Sequence, residues 1–138
     1  MIPVWAARYV GIAFASGGRT HAACDCFGLV RLVLAEEFHV DLPSYEGAYV
    51  SAHEREEVSA LIADRVLPDG WHLIGDTPRA GDGIVLRVLN RPWHVGVMVT
   101  ATDFLHVFEG QAVSALERLD SPRWSRRVVG IYRHRALA

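Results

Sequence analysis

Disulfide chemistry has little to work with in this chain: among 138 residues there are two cysteines, Cys24 and Cys26, with a single residue between them. A bridge across that gap would close a tight, strained ring, so both are expected as free thiols in a reducing compartment. No stretch approaches the roughly twenty apolar residues that a membrane span requires. The segment from Ile2 to Ser16 is fairly apolar, yet Arg8 interrupts it and no basic segment precedes it. It is expected to be an amphipathic helix, not a signal peptide. A formal net charge of −2 gives no electrostatic reason to expect nucleic acid or an anionic membrane as partner. Phosphate-cradling glycine loops, long runs of like charge, internal repeats, low-complexity tracts and linkers are all missing. A single domain over residues 1–138 is expected, long enough to bury roughly two-thirds of its unfolded surface.

What is present centres on Asp25-Cys26-Phe27-Gly28-Leu29-Val30. From Cys26 onward the apolar positions are Cys26, Leu29, Val30, Val33, Leu34 and Phe38, the three-four spacing of an amphipathic helix. A thiol in a first helical turn feels unpaired N–H groups and the positive end of the dipole. Both favour thiolate, so the position predicts a depressed, histidine-dependent pKa and a nucleophile. Against this stands the commoner role of a free cysteine as a small buried hydrophobe.

A thiol nucleophile needs a base, and the base an orienter. Two of the seven histidines stand out. His94 opens the β-branched run His94-Val95-Gly96-Val97-Met98-Val99-Thr100, and His106 lies inside Phe104-Leu105-His106-Val107-Phe108. With Ala101-Thr102-Asp103 as the turn between them, the two runs predict an antiparallel hairpin. On such a hairpin one nitrogen of His106 accepts from His94, and the other nitrogen of His94 is aimed at the thiol; the register is left open by parity alone. His39, His53, His72 and His134 read as surface residues, while His21, close before Cys26, is a candidate for the cleft. A zinc site from Cys24, Cys26, His94 and His106 has suitable ligand types but an unsuitable spacing, and no metal or cofactor is expected. The acidic residues Glu36, Glu37, Glu54, Glu56 and Glu57 fall on helix surfaces instead of forming a glycosidase pair. Asp82 reads as a loop anchor. Of Trp5, Trp71, Trp93 and Trp124, Trp93 is the one assigned to a cleft wall, because it adjoins His94.

The coarse layout is helix over 2–10, a flexible approach through Gly17-Gly18-Arg19-Thr20, then the Cys26 helix. A loop at Asp41-Leu42-Pro43-Ser44 and a capped helix over 51–66 follow, closed by a turn at Pro68-Asp69-Gly70. Strands are expected near 71–74, 83–89, 94–100, 104–108, 111–114 and 127–133, with Asn90-Arg91-Pro92 as a turn. Helices first and an antiparallel sheet second is an α+β class.

These residues resemble the NlpC family of papain-like cysteine peptidases, especially its short phage-tail members. The matching pieces are Tyr9-Val10-Gly11, Cys24 through Arg31, Leu42-Pro43-Ser44-Tyr45, Ala80 through Leu86, His94-Val95-Gly96-Val97, Phe104-Leu105-His106-Val107 and Gly130-Ile131-Tyr132-Arg133. The resemblance implies a papain-like α+β fold, with N-terminal helices packed on a C-terminal antiparallel sheet of about five or six strands. It implies Cys26 as nucleophile, His94 as general base and acid, and His106 as the orienter of His94. Asp25, Phe14, Phe27 and Trp93 are the residues implied around oxyanion and substrate, beside the backbone N–H of Cys26. Two positions depart from the bacterial pattern: Phe27 stands where serine is usual, and Phe14 where a tyrosine hydroxyl is usual. As substrate the resemblance implies peptidoglycan, cut between D-glutamate and the diamino acid of the stem. As setting it implies a phage or phage-like tail tip, in company with tail-tip and hub proteins, opening the wall for DNA entry. The competing expectations are an assembly component with little turnover, and an amidase or acyltransferase on the same fold.

Overall fold

The computed structural model describes residues 1–42, 70–88, 91–107 and 110–137. The helix expected over 51–66 lies outside these, as do most of the loop before it and the turn after it. A 3-10 helix over Val4–Tyr9 replaces the amphipathic α-helix expected over 2–10. Ala6 and Tyr9, three apart, are its buried pair, which suits a repeat of three residues per turn. Val10 is already extended and Gly11 takes φ +89°, so the helix has no continuation.

Three two-residue strands come next: β1 (Ala13–Phe14), β2 (Arg19–Thr20) and β3 (Ala23–Cys24), in the order β1-β3-β2. The approach expected to be flexible is thus pinned into a small sheet. The one α-helix among the described residues, α1 (Cys26–Phe38), follows it. It stops where His39 enters the left-handed region at φ 58° and the Val40 N–H reaches back to the Leu34 carbonyl at 3.0 Å.

The second half is a six-stranded antiparallel sheet: β4 (Trp71–Leu73), β5 (Gly83–Val88), β6 (Arg91–Met98), β7 (Asp103–His106), β8 (Ala115–Arg118) and β9 (Val128–His134). Its spatial order is β4-β9-β5-β6-β7-β8. Two strand boundaries move from the sequence expectation. Arg91, assigned to a turn, pairs with Val88 inside the sheet. The strand expected over 111–114 forms instead at Ala115–Arg118, paired with β7, while the Ser114 hydroxyl just before it donates to the Tyr9 carbonyl and accepts from the Ile12 N–H.

Alternation along the strands divides the core in two. Val97, Val99, Leu105 and Val107 face α1 and pack with Leu29, Val33 and Leu34. Ile84, Leu86, Met98 and Phe104 face the other way and pack on Trp124. Asp82 anchors the entry to β5: its two oxygens accept from Arg133 Nε and Nη2 of β9, both at 2.8 Å, and both residues are buried.

Candidate active site

Cys26 opens α1 and Asp25 caps it, Oδ1 accepting from the Gly28 N–H at 2.7 Å. The same carboxylate accepts from the Gly17 N–H at 2.9 Å and from Arg19 Nη1 at 2.7 Å. Arg19 also donates to the Gly18 carbonyl at 2.8 Å. Gly28 makes the crossing possible, since a Cβ there would stand 2.0 Å from the Gly18 carbonyl oxygen. Asp25, named with the substrate-side residues from sequence, is buried with both oxygens committed inward. Its part is to hold the start of the nucleophile helix.

The thiol does not have the depressed pKa expected of its position. Burial pushes it from 9.0 up to about 12 and the Asp25 carboxylate adds to the rise, while the backbone N–H groups of Val95 and Phe27 and the Arg19 guanidinium oppose it. The reason is one of size: a helix end contributes about 0.3–1 kcal/mol, less than one pKa unit, and desolvation outweighs it here. The contact with Val95 matters more, because it brings the sulfur to the strand residue next to His94.

His94 and His106 stand on the face of the sheet that carries Met98, Phe104 and Trp124. The register pairs Val97 with Leu105 and Met98 with Phe104, which puts His106 beside Gly96, diagonal to His94. With no side chain at Gly96 to intervene, His94 Nε2 comes within 2.7 Å of His106 Nδ1. Both rings are fully buried. Burial lowers the pKa of each; for His94 the neighbouring ring lowers it further, and for His106 the Glu117 carboxylate partly restores it. At rest the thiol and both imidazoles are thus neutral.

The NlpC/P60 family model matches residues 11–133. This chain belongs to the NlpC/P60 family. A murein DD-endopeptidase/LD-carboxypeptidase of Escherichia coli K12, MepS, is 25% identical over 121 residues, 88% of this chain. The chain spans 55% of the length of that relative. Among solved structures, an NlpC/P60 protein from Bacillus cereus superposes with a TM-score of 0.62 at 14% identity, over all of this chain and 42% of its own. A lipoprotein-like NLP/P60 protein from Staphylococcus aureus gives 0.59 at 20% identity, over 94% of this chain and 38% of its own. The papain-like α+β fold is the one these NlpC/P60 structures share.

Phe14, in β1, and Phe27, in the first turn of α1, are both half-buried on the helix side of the core, with Arg19 5.9 Å from the Phe27 ring centre. The side chain of Trp93 lies outside the described residues. His21 turns from the cleft to the last turns of α1, stacked on Tyr9 at 5.2 Å with Nε2 2.7 Å from Glu36. His134, read as a surface residue, is buried and accepts from the Ala136 N–H through Nδ1. Two residues of the site were missed from sequence. Glu117 Oε2 lies 2.8 Å from His106 Nε2, and the Trp124 indole N–H donates to the same oxygen at 2.9 Å. Flanked by Leu116 and Arg118, Glu117 had no apolar–polar alternation to mark it, and its register against β7 was unknown. Among the described residues no group of three or more His, Cys, Asp and Glu side chains is arranged to hold a metal ion.

Proposed function

We propose that this chain is a cysteine hydrolase that cuts amide bonds in the stem peptides of peptidoglycan, with Cys26 as nucleophile, His94 as base and acid and His106 as its orienter. The observation that carries this reading is the thiol at the start of α1 lying against the backbone N–H of Val95, the residue that follows His94 in β6, with the His94 ring joined to His106 at 2.7 Å. The murein peptidase named among the relatives supports the substrate class.

Chemistry starts from the neutral pair. As the Cys26 sulfur bonds to the substrate carbonyl carbon, its proton passes to His94 and the carbonyl electrons move onto oxygen. The backbone N–H of Cys26, at the open end of the helix, is a donor for that oxyanion. Collapse breaks the C–N bond, and His94 returns the proton to the departing amine. Water, deprotonated by His94, then attacks the thioester, and the thiol leaves with the proton.

The finer reading is cleavage between D-glutamate and the diamino acid, at a phage or phage-like tail tip among hub proteins. Its support is the resemblance of Cys24 through Arg31 and of the two histidine strands to short phage-tail members. A second reading, an assembly component with little turnover, draws on the burial of the thiol and both rings and on Phe14 and Phe27. Purified muropeptides incubated with wild type and Cys26→Ala separate the two, with mass spectrometry locating the bond broken. New amines should appear with the wild type alone, the variant losing about a thousandfold or more in kcat. Equal, negligible release from both would favour the assembly role.

A further inference from the structure

The two-histidine pair leaves one matter undecided by itself. Either ring can donate to the other, yet only one proton order leaves a lone pair on His94 Nδ1, the nitrogen opposite the one that meets His106. Glu117 removes the ambiguity. A carboxylate only accepts, so His106 Nε2, 2.8 Å from Glu117 Oε2, must carry the proton. A neutral His106 then has its lone pair on Nδ1 and accepts from His94 Nε2–H. The base lone pair of His94 falls on Nδ1. In the reverse order that nitrogen would carry a proton and take none from a thiol.

Trp124 holds the carboxylate in place. Its N–H, which can only donate, reaches the same Oε2 at 2.9 Å. Its ring stands edge-on to His106 at 4.7 Å and is almost wholly buried, closing that side of the pair to water. The titratable and charged groups around His106 are His94 from β6, Glu117 from β8, and Arg123 from the turns before β9. Arg123 lies over the Trp124 ring at 5.0 Å and disfavours a proton on His106, so Glu117 is the anion that offsets positive charge on the pair.

We propose that Glu117, clamped by Trp124, is the positioning residue that sets the proton order of the histidine relay and compensates its charge when His94 takes the proton. The inference rests on the hydrolase reading for its kinetic consequences and on the hydrogen-bond geometry alone for its tautomer consequence.

The test compares full-length wild type, Glu117→Gln and Glu117→Ala by 15N NMR of the histidine rings and by pH profiles of stem-peptide hydrolysis. Wild type should show His106 protonated at Nε2. Glu117→Gln keeps an acceptor but loses the charge. Its kcat should fall about tenfold with KM within about twofold, and the acid limb of kcat/KM should move to lower pH. Glu117→Ala should lose about a hundredfold in kcat and release His106 from the single Nε2–H form. The proposal is overturned if Glu117→Ala keeps the wild-type tautomer and pH profile, or if its activity falls only in step with its melting temperature. Should the wild type hydrolyse no stem peptide, the function proposed above fails by itself. The tautomer comparison then still decides the role of Glu117: lost order in Glu117→Ala upholds it, and unchanged order refutes it.

Discussion

The nucleophile half of the site and the histidine half are held by opposite means. Around Cys26 the restraints are local: Gly17, Arg19, Asp25 and Gly28 all lie within eleven residues of one another and close on one carboxylate. Around His94 they are distant, drawn from β6, β7, β8 and the turns before β9. The first half is polar and ionic, built on a buried Arg19–Asp25 pair. The second is aromatic, with two mutually tilted imidazoles and an indole edge-on to His106 around one carboxylate. A local clamp survives changes of register elsewhere, whereas the histidine pair exists only if three strands align. Each half nevertheless turns on a glycine at its point of closest approach, Gly28 in one and Gly96 in the other.

The sharpest way to break the comparison is Asp25→Ala. It leaves Arg19 buried without its anion and α1 without its cap, and unfolding in urea should show a loss of about 3–5 kcal/mol. Asp25→Asn keeps one of the two accepting oxygens, enough for the cap at Gly28, and should lose less.

The glycines come next. In an open helix Gly28→Ala would gain about 1 kcal/mol, but its Cβ would meet the Gly18 carbonyl oxygen at 2.0 Å. The variant should instead lose about 2–3 kcal/mol. Gly96→Ala meets the Leu105 carbonyl oxygen at 2.8 Å and the His106 Cβ at 3.2 Å. It should cost about 1–2 kcal/mol, with displaced histidine signals in the NMR spectrum as its distinguishing mark. Equal effects of the two on the histidines would mean that the halves are not separate units.

The last contrast is in pH dependence, where the halves should fail at opposite ends. His94 and His106 have lowered pKa values when folded, so below about pH 6.5 the unfolded chain takes up protons that the folded one refuses. Stability should then fall on acidification, by up to about 1.4 kcal/mol per pH unit for each proton. Cys24 and Cys26 are raised from 9.0 to about 12, so the folded chain retains protons the unfolded one releases, and stability should fall as pH rises from 9 toward 12. Denaturation midpoints across pH check both limbs. His94→Gln should flatten the acid one and Cys26→Ala the alkaline one.

Much of this architecture could be read before any coordinates. The helix from Cys26 to Phe38, the strand at Gly83, the hairpin joining His94 to His106 and the anchoring by Asp82 all announce themselves in spacing or turn chemistry. The 3-10 geometry at Val4–Tyr9 did not, because Ala6 and Tyr9 fit an α-helical face about as well as a 3-10 one. Nor did the place of β8, which is set by its pairing with β7, Asp103 opposite Arg118 and His106 opposite Ala115. The thiol pKa departs from the sequence expectation for a related reason: a helix end is visible in sequence, but the depth at which that end is buried is not.

The order of residues alone determined that a thiol begins a helix and that two histidines lie on the two strands of one hairpin, since capping and turn chemistry act over a few neighbours. Tertiary structure decided the rest. It set the ionisation of the thiol by removing water from it, and it chose Glu117 as the end of the relay by fixing the β7–β8 register, for desolvation and register are both sums over contacts that no short window of sequence contains.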